Sequence, residues 1–343
     1  MRPPQGELEL PVQNLALRED VAVAPAPREV APSVERLRGA LRAGVIVNAK
    51  SHRNRGDAAR TNAADGVFMA YPREVGDLDA ILAEFAGRGV ELLVIDGGDG
   101  TVRDVLTRAS RHFPDGLPRL AVLPSGKTNA LALDLGAPRH WTLDAALAAA
   151  EAGQVRQRAP LEIWRAGATA PEMRGFLFGA GAFVRATRAA QRAHGLGLVD
   201  ALAVGVTLVA AVLRTLFGGP RSGWRAGDSL DLTLDGQRAP AGRRFLLLAS
   251  TLKRLPLGLR PFGTPRAGAK VLDVDAAPKR LLRALPVLLS GRDAPWLTEG
   301  GYRRADVEAM KLSLDGAFVL DGEVYPGGDL IVRMGEPLEF VAP

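Results

Sequence analysis

Four consecutive apolar residues, Leu92-Leu93-Val94-Ile95, run directly into the turn Asp96-Gly97-Gly98-Asp99-Gly100-Thr101. A strand with no polar face must be covered on both sides, which is the setting of a parallel sheet between helices. Three glycines in such a turn let the backbone approach a ligand closely and supply φ > 0 where it is needed. The helix expected next, through Val102, Val105, Leu106 and Ala109, would aim its free N–H groups and positive dipole end at the same turn. Phosphate is the natural guest there. Asp99, the only charged side chain inside the turn, would repel phosphate, so its presence suggests a metal ion or a proton to be taken. Capping of a helix is its structural alternative.

The same alternation extends to either side. Val45-Ile46-Val47 reads as a strand ending at Asn48, and Leu78, Ile81, Leu82 and Phe85 have helical spacing closed by Gly87 and Gly89. Leu120 to Leu123 is a further strand before Pro124, with helices expected from near Thr128 to Gly136 and from Asp144 to Ala152. This βαβαβα order predicts a doubly wound α/β domain over residues 41–157. Ahead of it, Pro3, Pro4, Pro11, Pro25, Pro27 and Pro32 predict a proline-rich arm over residues 1–40. Met1-Arg2-Pro3-Pro4 lacks the apolar stretch of a secretory signal.

From residue 158 the texture changes. Arg174–Phe178, Ser229–Leu234, Arg244–Ala249, Val307–Leu314 and Asp329–Arg333 read as short strands separated by Pro, Gly and Asp-Gly turns. They predict a mainly antiparallel domain over residues 158–343, with helices over 186–217 attached. The low-charge run Ala201 to Leu213 is shorter than the roughly 20 residues a spanning helix needs. It is read as a buried helix or one that meets lipid. Arg185, Arg188 and Arg192 share one helical face.

Composition narrows the chemistry. With no cysteine, disulfides, zinc ribbons and thiol catalysis are excluded. The histidines (His52, His112, His140 and His194) form no close pair, so a histidine-built metal site is not expected. Net charge is +6, and residues 241–304 alone carry 13 Lys or Arg against four Asp or Glu. That region predicts an anionic partner, a membrane surface or a phosphorylated small molecule. Nucleic acid is not expected: aromatics are only 5% and no recognition motif is present.

Two further segments carry chemistry. Pro124-Ser125-Gly126-Lys127-Thr128-Asn129 lies between a strand and a helix, at the sheet end where open α/β folds bind ligands. Lys127, Thr128 and Asn129 could reach phosphate oxygens, and a helix start capped by Ser125 or Thr128 is the alternative. It is not a P-loop, because position 121, where that motif needs glycine, is Ala within the strand. A Gly-x-Gly-x-x-Gly reading fails at Arg103. The other segment, Leu320-Asp321-Gly322-Glu323, is a hairpin turn carrying two acids.

Taken together, these segments resemble the diacylglycerol kinase catalytic family, which includes bacterial lipid kinases, sphingosine kinases and ceramide kinases. Residues 97–101 match the family's Gly-Gly-Asp-Gly-Thr. Pro124, Gly126 and Asn129 match its Pro-x-Gly-Thr-x-Asn, and residues 321–323 match its Asp-Gly-Glu. The first motif is shared with NAD kinases. The resemblance implies an α/β ATP-binding domain followed by a β-sandwich-like lipid-binding domain, with the active site in the interdomain cleft. It implies ATP, Mg²⁺ and a lipid hydroxyl. Carried over, Gly97, Gly98, Gly100 and Thr101 would hold ATP phosphates, with Asn48, Gly126, Lys127, Thr128 and Asn129 also at the nucleotide. Asp99 would serve the metal or assist deprotonation, and Glu323 would be the base on the lipid hydroxyl.

The chain departs from the family in several places. Asn48-Ala49-Lys50-Ser51-His52 stands for Asn-Pro-x-Ser-Gly, Arg103-Asp104 for Asn-Glu, and Lys127 for Thr. No acids around 264–272 match the family's structural Mg²⁺ site. The expected function is an ATP-dependent lipid kinase transferring the γ-phosphate to a lipid hydroxyl, with diacylglycerol first among acceptors. Such an enzyme would be cytoplasmic and peripheral on the inner membrane surface. Asn129-Ala130-Leu131-Ala132 resembles the sphingosine-kinase version, so a sphingoid-base or ceramide-like acceptor is the alternative. A non-catalytic nucleotide or lipid sensor and an NAD kinase follow.

Overall fold

A computed structural model describes residues 41–51, 53–54, 66–195, 226–264 and 267–343. The proline-rich arm over 1–40, the Ala201–Leu213 run and most of the helices expected over 186–217 lie outside the described residues. The first lobe runs β1 (Ala43–Val47), β2 (Val67–Ala70), α1 (Asp77–Gly87), β3 (Leu92–Gly97), α2 (Asp99–Ala109), β4 (Arg119–Pro124), α3 (Ala130–Leu135), α4 (Leu143–Glu151) and β5 (Val155–Arg158). The second runs β6 (Leu161–Arg165), β7 (Met173–Gly175), β8 (Leu177–Gly181), α5 (Ala182–Gly195), β9 (Asp228–Leu234), β10 (Gln237–Arg238), β11 (Arg243–Ser250) and β12 (Ala269–Asp275). It continues through α6 (Leu281–Leu289), α7 (Pro295–Glu299), β13 (Tyr302–Val307), β14 (Ala309–Leu320) and β15 (Glu323–Met334). A last strand, β16, spans Leu338–Val341.

The first sheet has the order β2-β1-β3-β4-β16-β5, with β1, β2, β3 and β4 parallel. Its unbroken apolar runs are explained by burial on both faces. Ile46, Leu93, Ile95, Leu120 and Val122 point to one side, against Leu82 and Phe85 of α1, Val105 and Leu106 of α2, and Leu131 of α3. Val45, Leu92, Val94, Ala121 and Leu123 point to the other, against Trp141 and the small residues Ala146 and Ala149 of α4. Successive residues of one strand thus serve two cores, as the period of two requires.

The domain boundary expected at residue 157 needs correction. The chain leaves the first sheet after β5, builds the second lobe, and returns. β16 inserts between β4, to which it is parallel, and β5, to which it is antiparallel. Burial is the reason: Phe340 and Val341 are fully enclosed there, and Phe340 meets Phe176 of the second lobe edge-to-face at 6.1 Å. Residues 338–341 therefore belong to the first lobe.

The second lobe is one 10-stranded antiparallel sheet folded over on itself. The fold line lies in β14: Met310–Leu314 pair with β9 and Phe318–Leu320 with β8, with a register shift between Leu314 and Ala317. The halves enclose a core that includes Leu161, Phe178, Leu230, Leu247, Leu312, Phe318 and Leu330. On the outside, α6, α7 and the loop after β11 cover a second cluster built on Phe262, Leu281, Ala284, Leu288 and Leu297.

The basic region is less free than its sequence suggests. Arg244 and Arg303 are paired with Asp273 and Asp275, Arg304 with Asp293, and buried Lys270 donates to the Leu252 carbonyl at 3.3 Å. These cations hold the lobe together. Lys253, Arg254, Arg260, Lys279, Arg280, Arg283 and Arg292 remain exposed. Among the described residues, no helix is long and apolar enough to cross a membrane.

Candidate active site

The ends of β1, β3 and β4 carry three loops that lock into one another. Asn48, just past β1, donates from Nδ2 to Thr101 Oγ1 at 2.8 Å, and its Oδ1 accepts from the Lys50 amide at 3.0 Å. Asp96, buried at the end of β3, accepts from Asn54 Nδ2 at 3.1 Å and from the Ser125 hydroxyl. One carboxylate thus fastens the first loop and the β4 loop to the central strand.

The glycines serve close approach rather than positive φ. Neither Gly97, Gly98, Gly100 nor Gly126 is left-handed. A Cβ on Gly97 would sit 2.6 Å from the Thr101 side chain, and one on Gly126 would sit 2.5 Å from Gly98 Cα. The two glycine turns therefore touch backbone to backbone. Gly100 differs: a Cβ there would meet only the Arg103 guanidinium, at 3.7 Å. It begins α2 on the open side, where the helix presents its free N–H groups.

Asp99 does not line the opening. Its carboxylate accepts from the amides of Ala130 at 3.0 Å and Leu131 at 3.2 Å, so it caps α3 from across the turn. The residue at the α3 N-cap cannot do this. Asn129, at φ 50°, closes its own loop by accepting from the Gly126 amide at 2.8 Å and donating to the Gly126 carbonyl at 2.7 Å. Burial pushes the Asp99 carboxyl above its ordinary range, and the two amides pull it back. The expectation of Asp99 as a direct metal ligand meets a carboxylate already committed to backbone.

The second lobe contributes the hairpin between β14 and β15. Asp321 and Gly322, at φ 47° and 83°, are its two central residues, the left-handed pair of a type I′ turn. Asp321 turns inward: its carboxylate accepts from the amides of Phe176 at 3.0 Å and Leu177 at 2.8 Å. Burial, and next the charge of Asp99 across the junction, push it up to about 7. Glu323 points outward and is exposed.

Arg103 of α2 joins the lobes. Its side chain is buried and donates through Nη1 to the Leu320 carbonyl at 3.2 Å, through Nε to Asp104 Oδ1 at 3.0 Å and through Nη2 to the same oxygen at 2.8 Å. Its guanidinium also lies over the Tyr325 ring, 5.5 Å from the centroid.

The result is an open cleft of about 520 Å³, lined by Asn48, Lys50, Ser51, Gly98, Gly100, Thr101, Arg103, Asp104, Gly126, Lys127 and Glu323. Of the residues singled out from sequence, Asn48, Gly98, Gly100, Thr101, Gly126, Lys127 and Glu323 meet there. Gly97, Asp99 and Asn129 stand behind the wall and shape it, and exposed Thr128 is outside the lining. The sequence alone gives no role to Asp96, Asp104 or Asp321, and Arg103 stands out in it as the residue that breaks a Gly-x-Gly-x-x-Gly pattern and as a departure from the family. That departure was the signal, because a cation standing where Asn is usual demands a counter-charge.

The cleft presents helix N–H groups, glycine backbone and Lys127 on one side and a carboxylate on the other. That arrangement suits a polyphosphate facing a hydroxyl. Among the described residues, no group of three or more His, Asp or Glu could hold a metal alone. Asp104 and Glu323 on the lining still suit Mg²⁺, which takes one or two carboxylates together with substrate phosphates.

Comparison with known proteins agrees with this arrangement. Residues 42–162 match the family model of the diacylglycerol kinase catalytic domain. The chain is 38% identical over 80 residues to the "Probable lipid kinase YegS" of Shigella flexneri, and likewise to that of Escherichia coli O6:K15:H31. The match spans 23% of this chain and about a quarter (26%) of those relatives' length. Among solved structures, a "putative diacylglycerol kinase" from Bacillus anthracis superposes with a TM-score of 0.62, covering 88% of this chain and 97% of that one. At 15% identity that likeness is one of fold. It agrees with the expected order of a parallel α/β lobe followed by an antiparallel one.

Proposed function

Because residues 42–162 match the diacylglycerol kinase catalytic domain, we propose that the chain is an ATP-dependent lipid kinase. It would transfer the γ-phosphoryl group to a lipid hydroxyl, with diacylglycerol as the acceptor. The observation that carries this reading is the meeting of two distant motifs on one cleft: Gly98, Gly100 and Thr101 on one wall, Glu323 on the other. Phosphoryl transfer needs little covalent work from a protein. It needs the phosphates held, their charge neutralised and one carboxylate near the attacking oxygen.

Each requirement has a residue. The α2 N-terminus and the Gly98–Gly126 contact would form the phosphate floor, and exposed Lys127 would add a cation beside it. Mg²⁺ bound with ATP would neutralise phosphate charge, with Asp104 as the oxygen donor on the phosphate side of the lining. Glu323 accepts the proton of the lipid hydroxyl as its oxygen bonds to the γ-phosphorus and the bond to the leaving ADP breaks. Asp99 would support the site by fixing the β4 loop through the α3 amides. The acceptor would reach Glu323 at a cytoplasmic, peripheral position on the inner membrane surface.

The test is mass spectrometry of a membrane lipid extract incubated with the protein, ATP and Mg²⁺. A lipid heavier by one phosphoryl group is expected, and a panel of diacylglycerol, sphingoid bases and ceramide identifies the acceptor. Nucleotide binding by calorimetry with no phosphorylated lipid would instead make the chain a sensor. Phosphorylation of NAD alone would make it an NAD kinase.

A further inference from the structure

Leu257 and Leu282 are large apolar side chains exposed on the second lobe, and the first is held at a loss to stability. Leu257, in the 3-10 turn Pro256–Gly258, has φ 60° and ψ 15° and is 73% exposed. Side chains with a Cβ avoid that left-handed region, and leucine gains nothing in water to offset the strain. Leu282 is 65% exposed on α6, whose inner face is buried through Leu281, Ala284 and Leu288. A glycine would relax the first site, and a polar residue would serve equally well at the second.

The turn is held in place rather than hanging free. The amides of Lys253 and Arg254 donate to Asp134 Oδ1 at 2.9 and 2.6 Å, and the Arg260 amide donates to the Leu289 carbonyl at 2.8 Å. The last bond ties the loop to the end of α6, and both elements lie over the same buried cluster. Exposed Lys253, Arg254 and Arg260 share the loop with Leu257, and exposed Arg280 and Arg283 stand at the N-cap and in the first turn of α6 with Leu282. The acids nearest in sequence, Asp273, Asp275 and Asp293, are paired with Arg244, Arg303 and Arg304. Apolar tips in a cationic rim match a bilayer surface with anionic headgroups.

We propose that Leu257 and Leu282 are the points at which this lobe enters an anionic lipid surface, with the surrounding Lys and Arg on headgroup phosphates. The choice of a bilayer over a protein partner rests on the lipid kinase reading. The test is cosedimentation of the full chain with phosphatidylcholine vesicles, with or without phosphatidylglycerol, for wild type, Leu257→Glu, Leu257→Gly and Leu282→Glu. Turnover on a short-chain diacylglycerol dissolved as monomers is measured in parallel.

The wild type should prefer the anionic vesicles, and each leucine variant should lose roughly tenfold or more in vesicle affinity. Turnover on the dissolved lipid should not change. Leu257→Gly should keep or raise the unfolding midpoint while losing vesicle binding, which general damage would not produce. Equal binding to both vesicle types, or affinity unchanged in the leucine variants, overturns the proposal. Leucine-dependent vesicle binding without any lipid phosphorylation leaves the docking surface standing and removes the kinase reading. Phosphorylation of dissolved lipid without vesicle binding does the reverse.

Discussion

Glu323 and Gly126 occupy opposite walls of the cleft and answer different questions. Glu323→Gln keeps the shape and removes the proposed base. Turnover should fall by about 10²- to 10⁴-fold while nucleotide affinity by calorimetry stays nearly constant. Gly126→Ala does the opposite. The added methyl would stand 2.5 Å from Gly98 Cα and 2.8 Å from Asn129 Oδ1, so the two turns must separate. A stability loss of about 1–3 kcal/mol in thermal melts, together with weaker nucleotide binding, is expected. The glycine motif was plain in the sequence, but its purpose was not. Clusters of glycine suggest positive φ, and here they serve a backbone contact between loops 28 residues apart, which no local pattern could reveal. The contacts of Asp99 are hidden from the sequence for a related reason. The amides it caps lie more than 30 positions away, and only the diversion of the Asn129 side chain to Gly126 leaves them in need of it.

Helix α2 and the β14–β15 hairpin are elements of different lobes fixed to one another by Arg103. Its bond to the Leu320 carbonyl lies just before the turn that presents Glu323. Arg103→Ala should lower turnover at least tenfold with a smaller effect on KM for ATP, because the proposed acceptor-side carboxylate loses its register while the proposed phosphate floor remains. It should also cost about 2 kcal/mol in denaturant unfolding, since Asp104 is left without its partner. Lys should rescue poorly, because the site uses the guanidinium's forked donors. The elements themselves were well announced by sequence: β1, β3, β4, α1 and α2 lie where their apolar spacing puts them. The second lobe was harder. The expected run Arg174–Phe178 is two strands, and Val307–Leu314 is the end of β13 and the start of β14. The break between these last two is set by the Asp235 carboxylate, which accepts from the amides of Glu308 and Ala309 from another hairpin.

Across the whole molecule, the junction of the lobes contains two facing acids, Asp99 and Asp321. Asp321 titrates near 7, well above its unfolded value, so the folded state binds the extra proton and the unfolded state does not. The stability this lends is full below about pH 4 and is lost as pH rises through about 7, a change on the order of a few kcal/mol. Asp321→Asn should flatten that slope in unfolding curves taken between pH 5 and pH 8, while its amide oxygen can still accept from the Phe176 and Leu177 amides. Arg103 lowers the Asp321 value, so its removal should shift the transition to higher pH. The junction also depends on Phe340, which is fully buried in the first sheet and touches Phe176 of the second lobe. Phe340→Ala should cost about 3–5 kcal/mol in thermal or denaturant unfolding.

The return of β16 gives the molecule a temporal order as well as a shape. Domains generally fold in the order in which they are synthesised, the first being finished before the next emerges. Here the first sheet cannot close between β4 and β5 until the whole second lobe has been made, because the strand that fills the gap follows it in the chain. Until then, the free edges of β4 and β5 stand open to pairing with any strand that passes. The cleft is bounded by both lobes, so its glycine wall and Glu323 face one another only once the second lobe has been translated.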